Sequence, residues 1–170
     1  MRRPEPDEYA PYYADYIDMV KGSDITFILA GQVFLVEKLL SEISEDKANS
    51  SYAPGKWTIK EVMGHLIDCE RIFAYRALCI SRGETKPLPG FDQDIYVQNA
   101  GFNQRTMTSL LEEYALLRNS NIACFKSFTR DMLHFKGVAN NYPISVNALM
   151  YCIAGHELHH MKVLQERYLS

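Results

Sequence analysis

Residues 145–167 read SVNALMYCIAGHELHHMKVLQER. At 100° per residue, Leu149, Ile153, His156, His160, Val163 and Leu164 share one stripe. The segment is therefore expected to be an amphipathic helix, with Ser145 as its cap. His156 and His160 are four residues apart, so they stand one turn apart on the apolar face, and His159 lies at its edge. Two imidazoles so placed can reach one metal ion, but two ligands do not complete a site. His65, within a second helical pattern, is the candidate third; the alternative for each histidine is a hydrogen-bonded core residue.

Working outward, three more helical patterns precede this one. The first starts at Ser23 or Asp24 and runs to about Ser41, with Ile25, Leu29, Phe34, Leu35 and Leu40 among its apolar positions. The second opens on a capping box, Thr58 with Glu61, and runs to about Arg82 before Gly83. Its core stripe holds Val62, Leu66, Cys69, Phe73, Ala77 and Ile80, with His65 at the edge and Arg76 on the same side as His65. The third spans about Thr106 to Thr129 and places Leu117 and Asn121 on its apolar face. Residues 83–104 read as a long connection and 135–142 as a loop rich in Gly and Asn. Residues 1–22, with three prolines and four tyrosines, read as an arm packed on the domain, over the mouth of a site or on plain surface. The fold expected is all-α, a four-helix bundle forming one domain over residues 1–170.

With 170 residues, 47% of them hydrophobic, the chain is long enough for a good core. The net charge of −3 argues against a nucleic-acid or anionic-membrane surface. No apolar run reaches the roughly 20 residues of a membrane span, and no signal peptide is read at the N-terminus. Cys69, Cys79, Cys124 and Cys152 show no CxxC spacing and read as reduced core residues of a cytoplasmic protein. Cys69 and Cys152 each lie one turn from a candidate ligand, so either can also be read as an additional one.

An ordered set of stretches carries a resemblance over nearly the whole chain. These are residues 3–13 (RPEPDEYAPYY), 52–68 (YAPGKWTIKEVMGHLID), 89–94 (PGFDQD) and 154–160 (AGHELHH). Together they resemble the DinB-like (DinB/YfiT) superfamily. The resemblance implies a four-helix bundle, often a homodimer, holding a divalent ion, commonly zinc or nickel, by three histidines. The matching positions here are His65, His156 and His160. Some members are S-transferases or isomerases using a low-molecular-weight thiol, which makes thiol-dependent transfer on a small substrate the leading expectation.

Three imidazoles leave the metal an open position, a catalytic form. Besides holding a thiol as thiolate, such an ion acidifies water for hydrolysis, which needs a base. Residues 156–160 match H-E-x-x-H, making Glu157 the candidate base; it can equally orient a ligand imidazole or pair with a cation. Asp68 is a candidate partner for His65, and Arg76 for a carboxylate of a thiol cofactor, with a buried ion pair as the rival role. Tyr12, Asp94 and Tyr96 are candidates for a pocket rim. The reading from a different class is a non-catalytic bundle that works by dimerising or binding a partner.

Overall fold

The computed structural model describes residues 2–170. Two prolines start single 3-10 turns at Pro6–Glu8 and Pro11–Tyr13, and a short helix α1 (Ala14–Met19) follows. Ile17 and Val20 are fully buried, so the arm is packed on the domain. It lies along the last helix, α8 (Val146–Val163), and the fit depends on Gly155: a Cβ there would overlap the Tyr16 carbonyl.

Helix α2 (Ile25–Leu40) is capped by Asp24, whose carboxylate accepts from the Phe27 amide at 3.1 Å. It buries Ile25, Leu29, Gln32, Val36 and Leu40, whereas Phe34 and Leu35, expected inward, are 65% and 51% exposed. Most α2 positions are apolar, so periodicity alone does not select a face. The buried face includes Gln32, whose amide donates to the Ala154 carbonyl.

A short helix α3 (Glu45–Ala48) precedes α4 (Ile59–Ser81). The Thr58/Glu61 capping box is closed in both directions, at 2.7 and 3.1 Å. All six expected core positions of α4 are buried, and so is His65. The connection after it is not structureless. Asp92 caps a helix α5 (Gln93–Ala100), Gly101 ends it in the left-handed region, and a 3-10 turn Phe102–Gln104 follows. The Phe102 ring occupies the space where Gly64 lacks a side chain.

Thr106 caps α6 (Met107–Lys126), and α7 (Arg130–His134) is a single turn and a half. The expected Gly- and Asn-rich loop is a hairpin, β1 (Lys136–Ala139) against β2 (Tyr142–Ser145). Asn140 and Asn141 both have positive φ, 50° and 67°, the backbone of a type I′ turn. Ser145 then caps α8, and the chain ends in a π-helical turn at Leu164–Tyr168.

Helices α2, α4, α6 and α8 form the four-helix bundle, α8 packing on α4, α1 and α2. One apolar cluster gathers the arm, Cys69 to Ile80 of α4 and the first half of α8. The other gathers the end of α2, Ile59 to Ile67 of α4, α6 and the end of α8. Helix α4 passes from one cluster to the other between Ile67 and Cys69, and α8 between Leu158 and Met161. No helix among the described residues is long and apolar enough to cross a membrane.

Candidate metal centre

His65 enters from α4 and His156 and His160 from α8. The Nε2 atoms of His65 and His156 are 3.0 Å apart, and those of His156 and His160 3.1 Å apart. Tetrahedral ligands at about 2.0–2.1 Å from a zinc ion would stand about 3.3 Å apart, and both of these separations are near that value. His156 Nε2 faces two other ring nitrogens, yet it carries a single proton or a single lone pair. One cation would satisfy all three donors at once.

Burial keeps the imidazoles neutral. It lowers the pKa of His65 to about 4 and that of His160 to about 3. His156, fully enclosed and next to the other histidines, is pushed well below its ordinary value. Neutral imidazole is the form that ligates, so the donor set fits a divalent metal at neutral pH.

Among the described residues, the side chains whose ligand atoms all lie within 4.8 Å of one another are those of His65, Cys69 and His156, and His160 adjoins them through His156. The Cys69 sulfur is 3.5 Å from His65 Nδ1 and 3.6 Å from His65 Nε2. Near-equal distances put the sulfur beside the ring, off the axis of the Nε2 lone pair. Direct ligation by Cys69 therefore requires a change of its rotamer. Burial raises its thiol to about 12. Cys152 lies outside the cluster, in the apolar core.

Aromatic rings frame the centre. Tyr16, from the arm, packs edge-on to both His156 and His159, with centroids 5.3 Å away. Trp57 lies 4.8 Å from the His65 ring, and Tyr168 holds it by donating to its carbonyl at 2.7 Å. A pocket of about 340 Å³ opens beside His160, lined by Tyr52, Lys56, Trp57, Asp94 and His159 among others. Of the expected rim residues, Asp94 is there. Tyr12 instead packs on Tyr13 and Tyr142, and Tyr96 on Phe91.

Glu157 points elsewhere. It is 2% exposed, and its carboxylate accepts from the Tyr114 hydroxyl at 2.6 Å and from Arg118. Burial raises its pKa, against the opposing pull of Arg118. Arg118, which periodicity had passed over for Leu117, is 1% exposed and bonds to all three other helices of the bundle. It reaches the Leu29 carbonyl and Gln32 on α2, both Glu70 oxygens on α4, and Glu157 on α8. Asn121 donates to Glu70, bonding across the bundle. The signal available in the sequence was spacing: 114, 118, 121 and 125 also make a stripe.

Arg76 is buried, donates to the Pro89 carbonyl at 2.6 Å, and lies against the faces of Phe73 and Phe91. It ties the connection to α4 and has no carboxylate partner among the described residues. No hydrogen bond joins Asp68 to His65.

The chain matches a family model described as DinB superfamily over residues 35–164. No curated protein matches it. Among solved structures it is similar to YfiT from Bacillus subtilis, described there as "a probable metal-dependent hydrolase with an unusual four-helix bundle topology". That likeness has a TM-score of 0.77 at 16% identity, covering 94% of this chain and 91% of the other. With bundle, capped helices and family model in agreement, the chain belongs to the DinB superfamily.

Proposed function

We propose that this protein is a metal-dependent enzyme in which His65, His156 and His160 hold a divalent ion, zinc or nickel, at the head of the 340 Å³ pocket. The observation that carries the reading is His156 Nε2, which stands 3.0 Å from that of His65 and 3.1 Å from that of His160. Such an ion supplies Lewis-acid chemistry, acidifying water or holding a thiol as thiolate. Hydrolysis of a small substrate is the favoured reaction, and the likeness to YfiT supports it. The pocket volume, near the lower end for ligand sites, supports a small substrate.

The chain's own groups divide the work. Trp57, Tyr52 and Tyr168 give the substrate an apolar wall, and Tyr16 shields the far side of His156 from water. His159 and Asp94 line the pocket and are the groups placed to take a proton, in preference to Glu157, which is committed to Tyr114 and Arg118. Thiol-dependent transfer, with Arg76 holding a cofactor carboxylate, is the second reading. Arg76 would first have to leave the Pro89 carbonyl.

The test begins with elemental analysis of tag-free protein never exposed to a nickel column. About one ion per chain, lost on His160→Ala, is expected, followed by metal-dependent turnover in a panel of small esters, amides and thiol conjugates. Unchanged metal content in the His65, His156 and His160 alanine variants refutes the site. A loaded protein that turns over only the thiol conjugates refutes hydrolysis. Homodimerisation is proposed through α2 and α6, supported by the exposed Phe27, Phe34 and Leu116, and sedimentation tests it. A cytoplasmic site of action is proposed as well, supported by four free cysteines.

A further inference from the structure

Inside the bundle, two carboxylates share one guanidinium. Arg118 gives Glu70 a bidentate pair at 2.8 and 2.9 Å, and the same Nη2 also donates to Glu157. Its remaining contacts, the Leu29 carbonyl and the Gln32 amide oxygen, are neutral. No other cation pairs with Glu70 or Glu157 among the described residues. All three side chains are 1–3% exposed. With both carboxylates ionised, the cluster carries one uncompensated negative charge in the protein interior, an arrangement that is unfavourable on its own. Glu70 already has both oxygens matched to Arg118 and receives Asn121 as well, so the excess is best placed on Glu157.

This cluster borders the metal centre. Glu157 follows His156 in α8, and Glu70 lies five positions after His65 in α4. Between them is a cavity of about 10 Å³, walled by Glu70, Arg118, Glu157 and His156 with apolar neighbours. It is just large enough for one water molecule, and its walls offer the polar partners a water needs. His156 turns Nε2 toward His65 and His160, and its ring also borders this cavity. Ligating histidines regularly give their second N–H to a carboxylate or water, which fixes the tautomer and strengthens the ligand.

We propose that the Glu70–Arg118–Glu157 cluster is the counter-charge of the metal centre. Glu157 supplies the uncompensated negative charge and acts as a positioning residue for His156. The inference rests on the three-histidine reading above. It gives Glu157 a role other than proton transfer. It also predicts two effects of opposite sign. Three neutral imidazoles bring a divalent ion no charge of their own, so the buried anion stabilises the loaded protein and burdens the metal-free one. Removing that charge should weaken metal binding without weakening the metal-free fold. A merely structural ion pair predicts the reverse, a less stable fold with metal affinity intact.

The experiment measures two quantities on native protein, Glu157→Gln, Glu157→Asp and Glu70→Gln. Zinc affinity is read by competition with a chromophoric chelator at neutral pH, and the metal-free unfolding midpoint by urea. For Glu157→Gln, zinc binding should weaken by about 10- to 100-fold while the metal-free midpoint stays at or above native. Glu157→Asp keeps the charge and should bind zinc within about tenfold of native, whatever its midpoint. Glu70→Gln should repeat the affinity loss. Zinc affinity of Glu157→Gln within twofold of native overturns the proposal. So does a metal-free midpoint of Glu157→Gln below native, a Glu157→Gln protein that does not fold, or zinc binding by Glu157→Asp as weak as by Glu157→Gln. If native protein binds no zinc, the three-histidine reading itself falls, a result distinct from normal binding in native and variant alike.

Discussion

Acid should unfold the metal-free protein through the buried histidines His65 and His160. In the unfolded chain each titrates near 6.5; in the fold, burial lowers His65 to about 4 and His160 to about 3. The unfolded state therefore binds more protons as pH falls below 6.5. The stability these groups contribute is fully present above that value and is lost down to the folded pKa values. At pH 5, the linkage relation gives a loss of about 2 kcal/mol for each, or about 4 kcal/mol for the pair. His156 is shifted in the same direction and adds to it. Against a typical total of about 5–15 kcal/mol, this removes from about a quarter to most of the metal-free protein's stability near pH 5. Urea denaturation of metal-free protein at pH 7 and pH 5 measures the loss. The double variant His65→Gln/His160→Gln, which removes both titrating groups, isolates it. The variant should lose about 4 kcal/mol less than native over that interval. Equal losses would refute the claim that these imidazoles are held neutral by burial.

Other expectations follow from particular contacts. Arg118→Met strands two buried carboxylates and should cost about 3–5 kcal/mol in urea unfolding, whereas Arg71→Met, breaking a half-exposed pair with Glu113, should cost less than about 1 kcal/mol. Similar losses for the two would contradict the placement of Arg118. Gly155→Ala puts a methyl group on the Tyr16 carbonyl, so α1 must lift from α8. A loss of about 1–3 kcal/mol and faster proteolytic cleavage within residues 14–22 are expected, and an unchanged cleavage rate would argue against the docked arm. Trp57 is the only tryptophan and lies 4.8 Å from the His65 ring. Nickel added to metal-free protein should quench its emission saturably at one ion per chain, and emission indifferent to nickel would place the ion elsewhere.

Helices with a polar cap ahead of a long apolar stripe were legible in the sequence. Asp24, Thr58 with Glu61, Thr106 and Ser145 all cap as local chemistry dictates. Helix α5 was not legible, because eight residues with only Val97 buried leave almost no periodicity; Asp92 and Gly101 mark its two ends instead. The hairpin was missed because its strands have four residues each and its turn is Asn-Asn, without the glycine that usually signals a type I′ turn. On α2 the face was misjudged where apolar residues exceeded what the core could take. Phe34 and Leu35 turned outward while the polar Gln32 turned in, because it had partners to meet.

The run from His156 to His160 shows most sharply where local reading ends. Helical geometry alone sets His156 and His160 about 40° apart and Glu157 about 100° from His156. That spacing serves a carboxylate beside the metal as well as one turned into the bundle. The choice is made by Tyr114 and Arg118, the latter 39 residues earlier on α6, which together draw the Glu157 carboxylate away from the pocket. An arginine on an apolar stripe reads as a polar residue pointing outward unless its partners are known. Those partners, Glu70 and Glu157, sit on two other helices. That His156 and His160 share one face could be read from spacing, because the helical period alone sets it. Pairing with a cation was one of the readings open for Glu157, but which cation was not legible, because the burial of Arg118 is a property of the assembled bundle.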